Sequence, residues 1–200
     1  MAQIKFAIFD IGQVIYPYTL EYVNNVMKVL STDKNLFDNG HSAFDYDYNP
    51  YMKGIQPFED FVKNLCRFCA VPYNSELLKS VGDALRRGRG GAYSETLEAM
   101  RKLQENGVEL GILSNALPVL DDENIRFAKR ENVFVSYKLG LLKPDTKIYQ
   151  TMAQKLDTPY EEILFIDDKS RNILPAQALG IKGIIFKPET ILQDIEPYLK

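Results

Sequence analysis

Five short apolar runs rich in β-branched and aromatic residues, at 5–9, 108–113, 133–135, 163–166 and 182–186, read as strands, and most are separated by segments of helical periodicity. That alternation restricts the fold more than any other feature of the chain. In 93–106, Leu97, Met100, Arg101, Leu103 and Gln104 recur so that one side is apolar, and Asn106-Gly107 supplies a stop before the next strand. Segment 144–156 opens on Pro144, suited to a first helical turn, and 170–179 runs into Gly180. Over 93–200 strand and helix therefore alternate, the pattern of a doubly wound α/β layer with a mostly parallel sheet.

Between the first strand and residue 93 no strand is evident, and helical stretches are expected near 19–30, 58–70 and 75–87. The expected organisation is a core built from 1–16 and 89–200, with a helical insertion at 17–88 that returns through Gly88-Arg89-Gly90-Gly91. Inside the insertion, 39–54 is long for a connector and rich in Tyr, Asp and Asn. His41, the only histidine, lies there, with no second His or nearby serine nucleophile for a triad or a His-based metal site. Cys66 and Cys69 form a C-x-x-C, but Phe58, Phe61, Val62, Leu65, Phe68 and Cys69 recur at helical spacing. Both thiols are thus expected on or beside a buried helix face; a redox pair belongs at a helix N-terminus after a strand, and zinc would need further ligands.

The strand ends carry the chemistry. The first strand runs into Asp10-Ile11-Gly12, the second ends at Ser114-Asn115, the fourth ends at Asp167-Asp168, and Lys143 is held extended by the following Pro144. In an open parallel sheet these ends share one edge, and ligands bind in the crevice where strand order reverses. Singly, each group has a structural reading as a turn former, helix cap or solvated charge. Together they put three carboxylates, a hydroxyl, an amide and an ammonium on one edge. That set suits phosphoryl transfer, which needs an in-line nucleophile, a cation for the phosphate oxygens and a metal. With only oxygen ligands on offer, Mg²⁺ fits better than Zn²⁺, and Gly12 leaves its own carbonyl unobstructed for coordination.

The segments Phe9-Asp10-Ile11-Gly12-Gln13-Val14-Ile15, Leu113-Ser114-Asn115, Gly140-Leu141-Leu142-Lys143-Pro144-Asp145 and Phe165-Ile166-Asp167-Asp168, followed by Asn172, Ala176 and Gly180, resemble the four motifs of the haloacid dehalogenase (HAD) superfamily. The resemblance covers the whole core and implies a Rossmann-like α/β fold, with 17–88 as a C1-type cap; Tyr51-Met52-Lys53-Gly54 followed by 58–65 is similar to a common cap segment. It further implies that Asp10 attacks phosphorus to form an aspartyl-phosphate, that Ser114 and the Asn115 backbone bind phosphate oxygens, and that Lys143 balances their charge. By the same resemblance Asp10, the Gly12 carbonyl and Asp167 hold Mg²⁺, Asp168 supports it through water, and Asn172 orients Asp168 or the cap. Substrate contacts are expected from Gln13, Asn172 and the insertion's His41, Asp45, Tyr46, Asp47, Tyr48 and Tyr51.

Position 12 departs from the pattern. Many phosphatases of the superfamily carry a second aspartate there, which protonates the leaving oxygen and then activates water; glycine does neither. General acid–base help is typically worth ~10²–10⁴-fold. Either the substrate has a better leaving group, or Gln13 or an insertion residue stands in, or the chain binds phosphate compounds without turning them over. A metal-independent 2-haloacid dehalogenase also uses the first aspartate, but the Asp167-Asp168 pair would repel itself without a cation. The expected partner is a small phosphorylated metabolite such as a sugar phosphate. A net charge of −3, from 24 basic against 27 acidic residues, argues against nucleic acid or anionic lipid. No leader-like start and no apolar run of ~20 residues is evident, so a cytoplasmic protein is expected.

Overall fold

The computed structural model describes residues 3–17, 25–26, 28–30, 48–87, 91–118 and 127–199. Within them the chain forms β1 (Phe6–Phe9), α1 (Asn49–Met52), α2 (Phe58–Phe68), α3 (Ser75–Arg87), α4 (Ser94–Glu105), β2 (Glu109–Ser114), β3 (Val133–Val135), α5 (Ser136–Leu139), α6 (Thr146–Leu156), β4 (Ile163–Asp167), α7 (Ser170–Ala178), β5 (Lys182–Ile185) and α8 (Ile191–Asp194). The five strands make one sheet in the order β3-β2-β1-β4-β5, and every neighbouring pair is parallel. Each strand lies within one residue of the bounds its apolar run predicts. The α/β doubly wound expectation is met.

β1 is buried along its whole length, as a central strand covered on both faces must be. Its side chains alternate: Ala7 and Phe9 pack with Leu110, Ile112, Leu164 and Ile166 beneath Ala99, Met100 and Leu103 of α4. Phe6 and Ile8 join Leu113 and Phe165 on the opposite face, under Ile148, Tyr149 and Met152 of α6 and Ile173 of α7. A third cluster is built from Tyr51, Phe61, Val62, Leu65, Val81 and Leu85 of α1–α3, with Leu117 from the loop after β2. Cys66 and Cys69 are buried free thiols in this cluster, as expected, and burial pushes both above the usual thiol range.

Three local expectations are corrected. The buried face of α4 is Thr96, Ala99, Met100 and Leu103, while Leu97 is 40% exposed and Arg101 pairs with Glu98 and Glu105 in solvent. Thr96 can face the core because its hydroxyl donates to the Val14 carbonyl. α6 starts at Thr146 rather than Pro144: the Asp145 carboxylate caps it by accepting from the Lys147 N–H at 2.9 Å. Segment 39–54, expected as one long connector, contains α1; 39–47, most of 19–30 and residues 88–90 of the expected hinge lie outside the described residues. α5 has no counterpart in the sequence reading, four residues being too few to show a period.

α1 rests directly on α5. The Ser136 hydroxyl donates to the Met52 carbonyl at 2.7 Å and accepts from the Ala116 N–H at 3.1 Å. Gly54, at φ 69°, passes so close to α5 that an added Cβ would clash with the Tyr137 carbonyl oxygen. Gly107, at φ 79°, faces open space. Gly54→Ala should therefore lower stability by about 3 kcal/mol, combining backbone strain with a clash that has no flexible partner to yield. Gly107→Ala should cost only about 1 kcal/mol from backbone strain alone. Urea unfolding of the two variants checks this; equal losses would contradict the close approach.

Candidate active site

Asp10 is the first residue past β1, and its N–H still pairs with the Ile166 carbonyl at 2.9 Å, so it sits level with the end of β4, where strand order reverses. The turn behind it is tightly bonded: Ile15 and Tyr16 N–H donate to the Ile11 carbonyl, Gln13 N–H to Tyr16, and Tyr93 N–H to Ile15. Gly12 is buried in this turn. Gln13 adopts φ 61°, a left-handed conformation uncommon outside glycine, and its side-chain carbonyl accepts from the Tyr93 phenol at 3.3 Å. The Asp10 Oδ1 atom accepts from the Ile11 N–H at 2.7 Å.

Lys143 ties the strand ends together. With its side chain 1% exposed, its ammonium lies 3.0 Å from Asp10 Oδ1, 2.6 Å from Asp167 Oδ2 and 3.0 Å from the Leu113 carbonyl. The Asn115 carboxamide holds the Lys143 backbone with two bonds of 2.9 Å, donating to its carbonyl and accepting from its N–H. Ser114 is buried at the end of β2. Asp10, Lys143, Asp167 and Asp168, on three separate chain segments, thus converge, and one carboxylate oxygen from each of Asp10, Asp167 and Asp168 lies within 4.8 Å of the other two.

The two adjacent aspartates differ. Asp167 Oδ1 accepts from the Lys169 N–H and the Asn172 amide, and Oδ2 from the Lys143 ammonium and again from Asn172, so both oxygens are already engaged. Among the described residues, Asp168 Oδ1 is buried with no hydrogen-bond partner, and Oδ2 has the half-exposed Lys169 at 4.0 Å. Burial, followed by the charges of Asp167 and Asp10, pushes the Asp168 carboxyl above the usual carboxylate range, with Lys169 pulling the other way. Among the described residues, three carboxylates face one buried ammonium, with only the half-exposed Lys169 at 4.0 Å beside Asp168, so negative charge is in excess in the pocket. An orphaned carboxylate oxygen beside others, with no nitrogen or sulfur donor in the group, fits a hard divalent cation.

Other expected residues are placed differently. Asn172 is buried and spends its amide on Asp167, not on Asp168, while its backbone carbonyl accepts from the Tyr149 phenol at 2.7 Å. Tyr51 is 1% exposed and stacks on Phe61 at 4.4 Å, so it belongs to the third hydrophobic cluster rather than a polar lining. Tyr48 leans on the same ring at 5.7 Å. His41, Asp45, Tyr46 and Asp47 fall outside the described residues. Tyr93, Thr96, Ser136 and Tyr149 are supports the sequence reading missed, because nothing in the spacing of a Thr or Tyr on a helix says which distant carbonyl it will reach.

The model of the haloacid dehalogenase-like hydrolase family matches residues 4–180. The chain belongs to the HAD-like hydrolases. It is 27% identical over 186 residues to a sesquiterpene phosphatase of Aspergillus oryzae, covering 90% of this chain and 88% of that one. It is 26% identical over 136 residues to an (S)-2-haloacid dehalogenase of Pseudomonas sp. strain YL, covering 66% of this chain and 58% of that enzyme. A HAD family enzyme of Bacteroides thetaiotaomicron, crystallised with magnesium and inorganic phosphate, superposes with a TM-score of 0.73 at 21% identity, covering 92% of this chain and 95% of the other.

Because Asp168 Oδ1 is buried without a partner among the described residues and repelled by Asp167 and Asp10, Asp168→Asn should raise stability in EDTA by about 1 kcal/mol, the direction usual for relieving a destabilised site. Thermal unfolding in EDTA checks it. A loss of stability would mean that the Asp168 carboxylate has a structural partner after all.

Proposed function

We propose that this HAD-like hydrolase is a Mg²⁺-dependent phosphatase, which moves the phosphoryl group of a small phosphorylated metabolite onto Asp10 and then onto water. The observation that carries this reading is the convergence of Asp10, Asp167 and Asp168, the first two on the Lys143 ammonium, with an excess of negative charge left for a cation. The magnesium and phosphate held by the Bacteroides thetaiotaomicron enzyme support it. A bound Mg²⁺ would neutralise phosphate oxygens and align the phosphorus with the nucleophile.

Asp10, Asp168 and the Gly12 carbonyl are the proposed ligands. This reverses the two aspartates relative to the sequence-based expectation, because Asp167 has committed its oxygens while Asp168 keeps one open. Asp167, steadied by Asn172, then serves to hold Lys143. In the first transfer Asp10 attacks phosphorus as the alkoxide leaves, with Ser114, the Asn115 N–H and Lys143 drawing charge from the non-bridging oxygens. In the second, water attacks the aspartyl-phosphate and Asp10 is regenerated. The helices of 17–88 are proposed as a cap that shapes the substrate end of the pocket.

Gly12 supplies no general acid and the Gln13 carboxamide has no proton of suitable acidity, so substrates with good leaving groups should turn over fastest. The dehalogenase relative gives a second reading, but a dehalogenase needs no cation and would leave the Asp168 oxygen buried and unmatched. A screen of phosphorylated sugars, acyl phosphates and phosphorylated terpenoid alcohols with Mg²⁺ tests the proposal. Turnover should vanish in EDTA and fall by at least about 10³-fold in Asp10→Asn. Equal turnover in EDTA, or release of halide from a 2-haloacid, would overturn it; binding of phosphate compounds without turnover would make the chain an inert relative.

A further inference from the structure

The Asn115 side chain does something that no phosphate-binding backbone requires. Its carboxamide reaches across to Lys143 and pairs with both the N–H and the carbonyl of that one residue, each at 2.9 Å. No strand ladder supplies these bonds, since β2 ends at Ser114 and Lys143 lies in the connection between α5 and α6. The Lys143 side chain then turns inward to three oxygens, on Leu113, Asp10 and Asp167. A lysine carries four rotatable side-chain bonds, so ordering its ammonium depends on where its Cα is fixed. Among the described residues, the side chain that fixes the Lys143 backbone is that of Asn115.

We propose that the Asn115 carboxamide is a positioning residue that sets the Lys143 ammonium between Asp10 and Asp167, acting on turnover through Lys143 and not through substrate. The planar amide is well shaped for this, because one edge presents an acceptor and a donor side by side, matching the N–H and C=O of one residue, here Lys143 in the turn closed by the Asp145 N–H on the Leu142 carbonyl. Asn115→Asp would keep the acceptor and lose the donor, and Asn115→Ala would lose both. The loop carrying Asn115 is also held from its other side, where Ala116 N–H donates to Ser136. Ser136→Ala therefore loosens the same loop without touching Lys143, and separates a specific clamp from general slackness.

Two measurements on the full chain decide this. The first does not depend on the phosphatase reading: limited lysine acylation by an N-hydroxysuccinimide ester without added metal, followed by peptide mass spectrometry at Lys143. Lys143 should be protected in the wild type and in Ser136→Ala, partly reactive in Asn115→Asp, and fully reactive in Asn115→Ala, with melting recorded for each so that only folded protein is compared. Should Asn115→Ala not fold, the contrast between Asn115→Asp and Ser136→Ala carries the same decision. Unchanged protection in the Asn115 variants, or equal exposure in Ser136→Ala, would overturn the proposal.

The second measurement, which rests on the phosphatase reading, is a double-mutant cycle. Asn115→Ala should lower kcat by about 100-fold in the wild-type background, as a displacement near 1 Å can. In a Lys143→Ala background it should change kcat by no more than about 2-fold. Equal losses in both backgrounds would overturn the positioning role. A wild type without turnover would end the phosphatase reading alone, leaving the acylation result to decide the clamp.

Discussion

A lysine ammonium buried between two aspartates is the constraint around which this molecule is arranged. Taking an ammonium out of water is expensive unless it is paired and hydrogen-bonded. Lys143 meets that condition with three oxygens from three chain segments: the Asp10 carboxylate after β1, the Asp167 carboxylate on β4 and the Leu113 carbonyl on β2. Removing one member of such a set strands the others and costs about 3–5 kcal/mol. The β1–β2 and β1–β4 pairings must therefore end at matching levels, and the register Phe9↔Ile112 and Phe9↔Ile166 achieves that.

Around this centre, satisfied groups lie next to one that is not. Asp167 is engaged by Lys143, Asn172 and the Lys169 N–H, and Asn172 is steadied in turn by Tyr149. Asp168, one residue further on, keeps a buried oxygen with nothing to bind among the described residues. The pairing separates two jobs along one dipeptide, holding the lysine and offering a ligand. The turn from Asp10 to Tyr16 is made equally rigid by Thr96 and Tyr93, so that a nucleophile at a strand end does not wander.

Much of this is legible in the sequence because strands announce themselves by short apolar runs and parallel sheets gather their C-terminal ends. Asp10, Ser114 and Asp167 are the residues at or just past those ends, so their convergence can be read without coordinates, but the place of Lys143 cannot: instead of the extended residue that Pro144 implies, it lies in a turn closed by the Asp145 N–H on the Leu142 carbonyl and held by Asn115. The division of labour between Asp167 and Asp168 cannot, because it turns on which oxygen Asn172 reaches from the first turn of α7. Nor can the face of α4, where Thr96 displaces Leu97 from the core by finding the Val14 carbonyl. In the Tyr-rich stretch neither the stacking of Tyr51 on Phe61 nor the tilt of Tyr48 onto the same ring can be read, since composition says nothing about which tyrosines pack and which stay wet.

The most direct trial of the shared pocket is a crystal of the full chain grown with Mn²⁺ and orthovanadate, examined by anomalous scattering at the manganese edge. A single strong peak should lie about 2.1 Å from carboxylate oxygens of Asp10 and Asp168, with vanadium beside Asp10 and the Lys143 ammonium on a vanadate oxygen. Manganese bound elsewhere, or vanadate seated away from Asp10, would contradict the account.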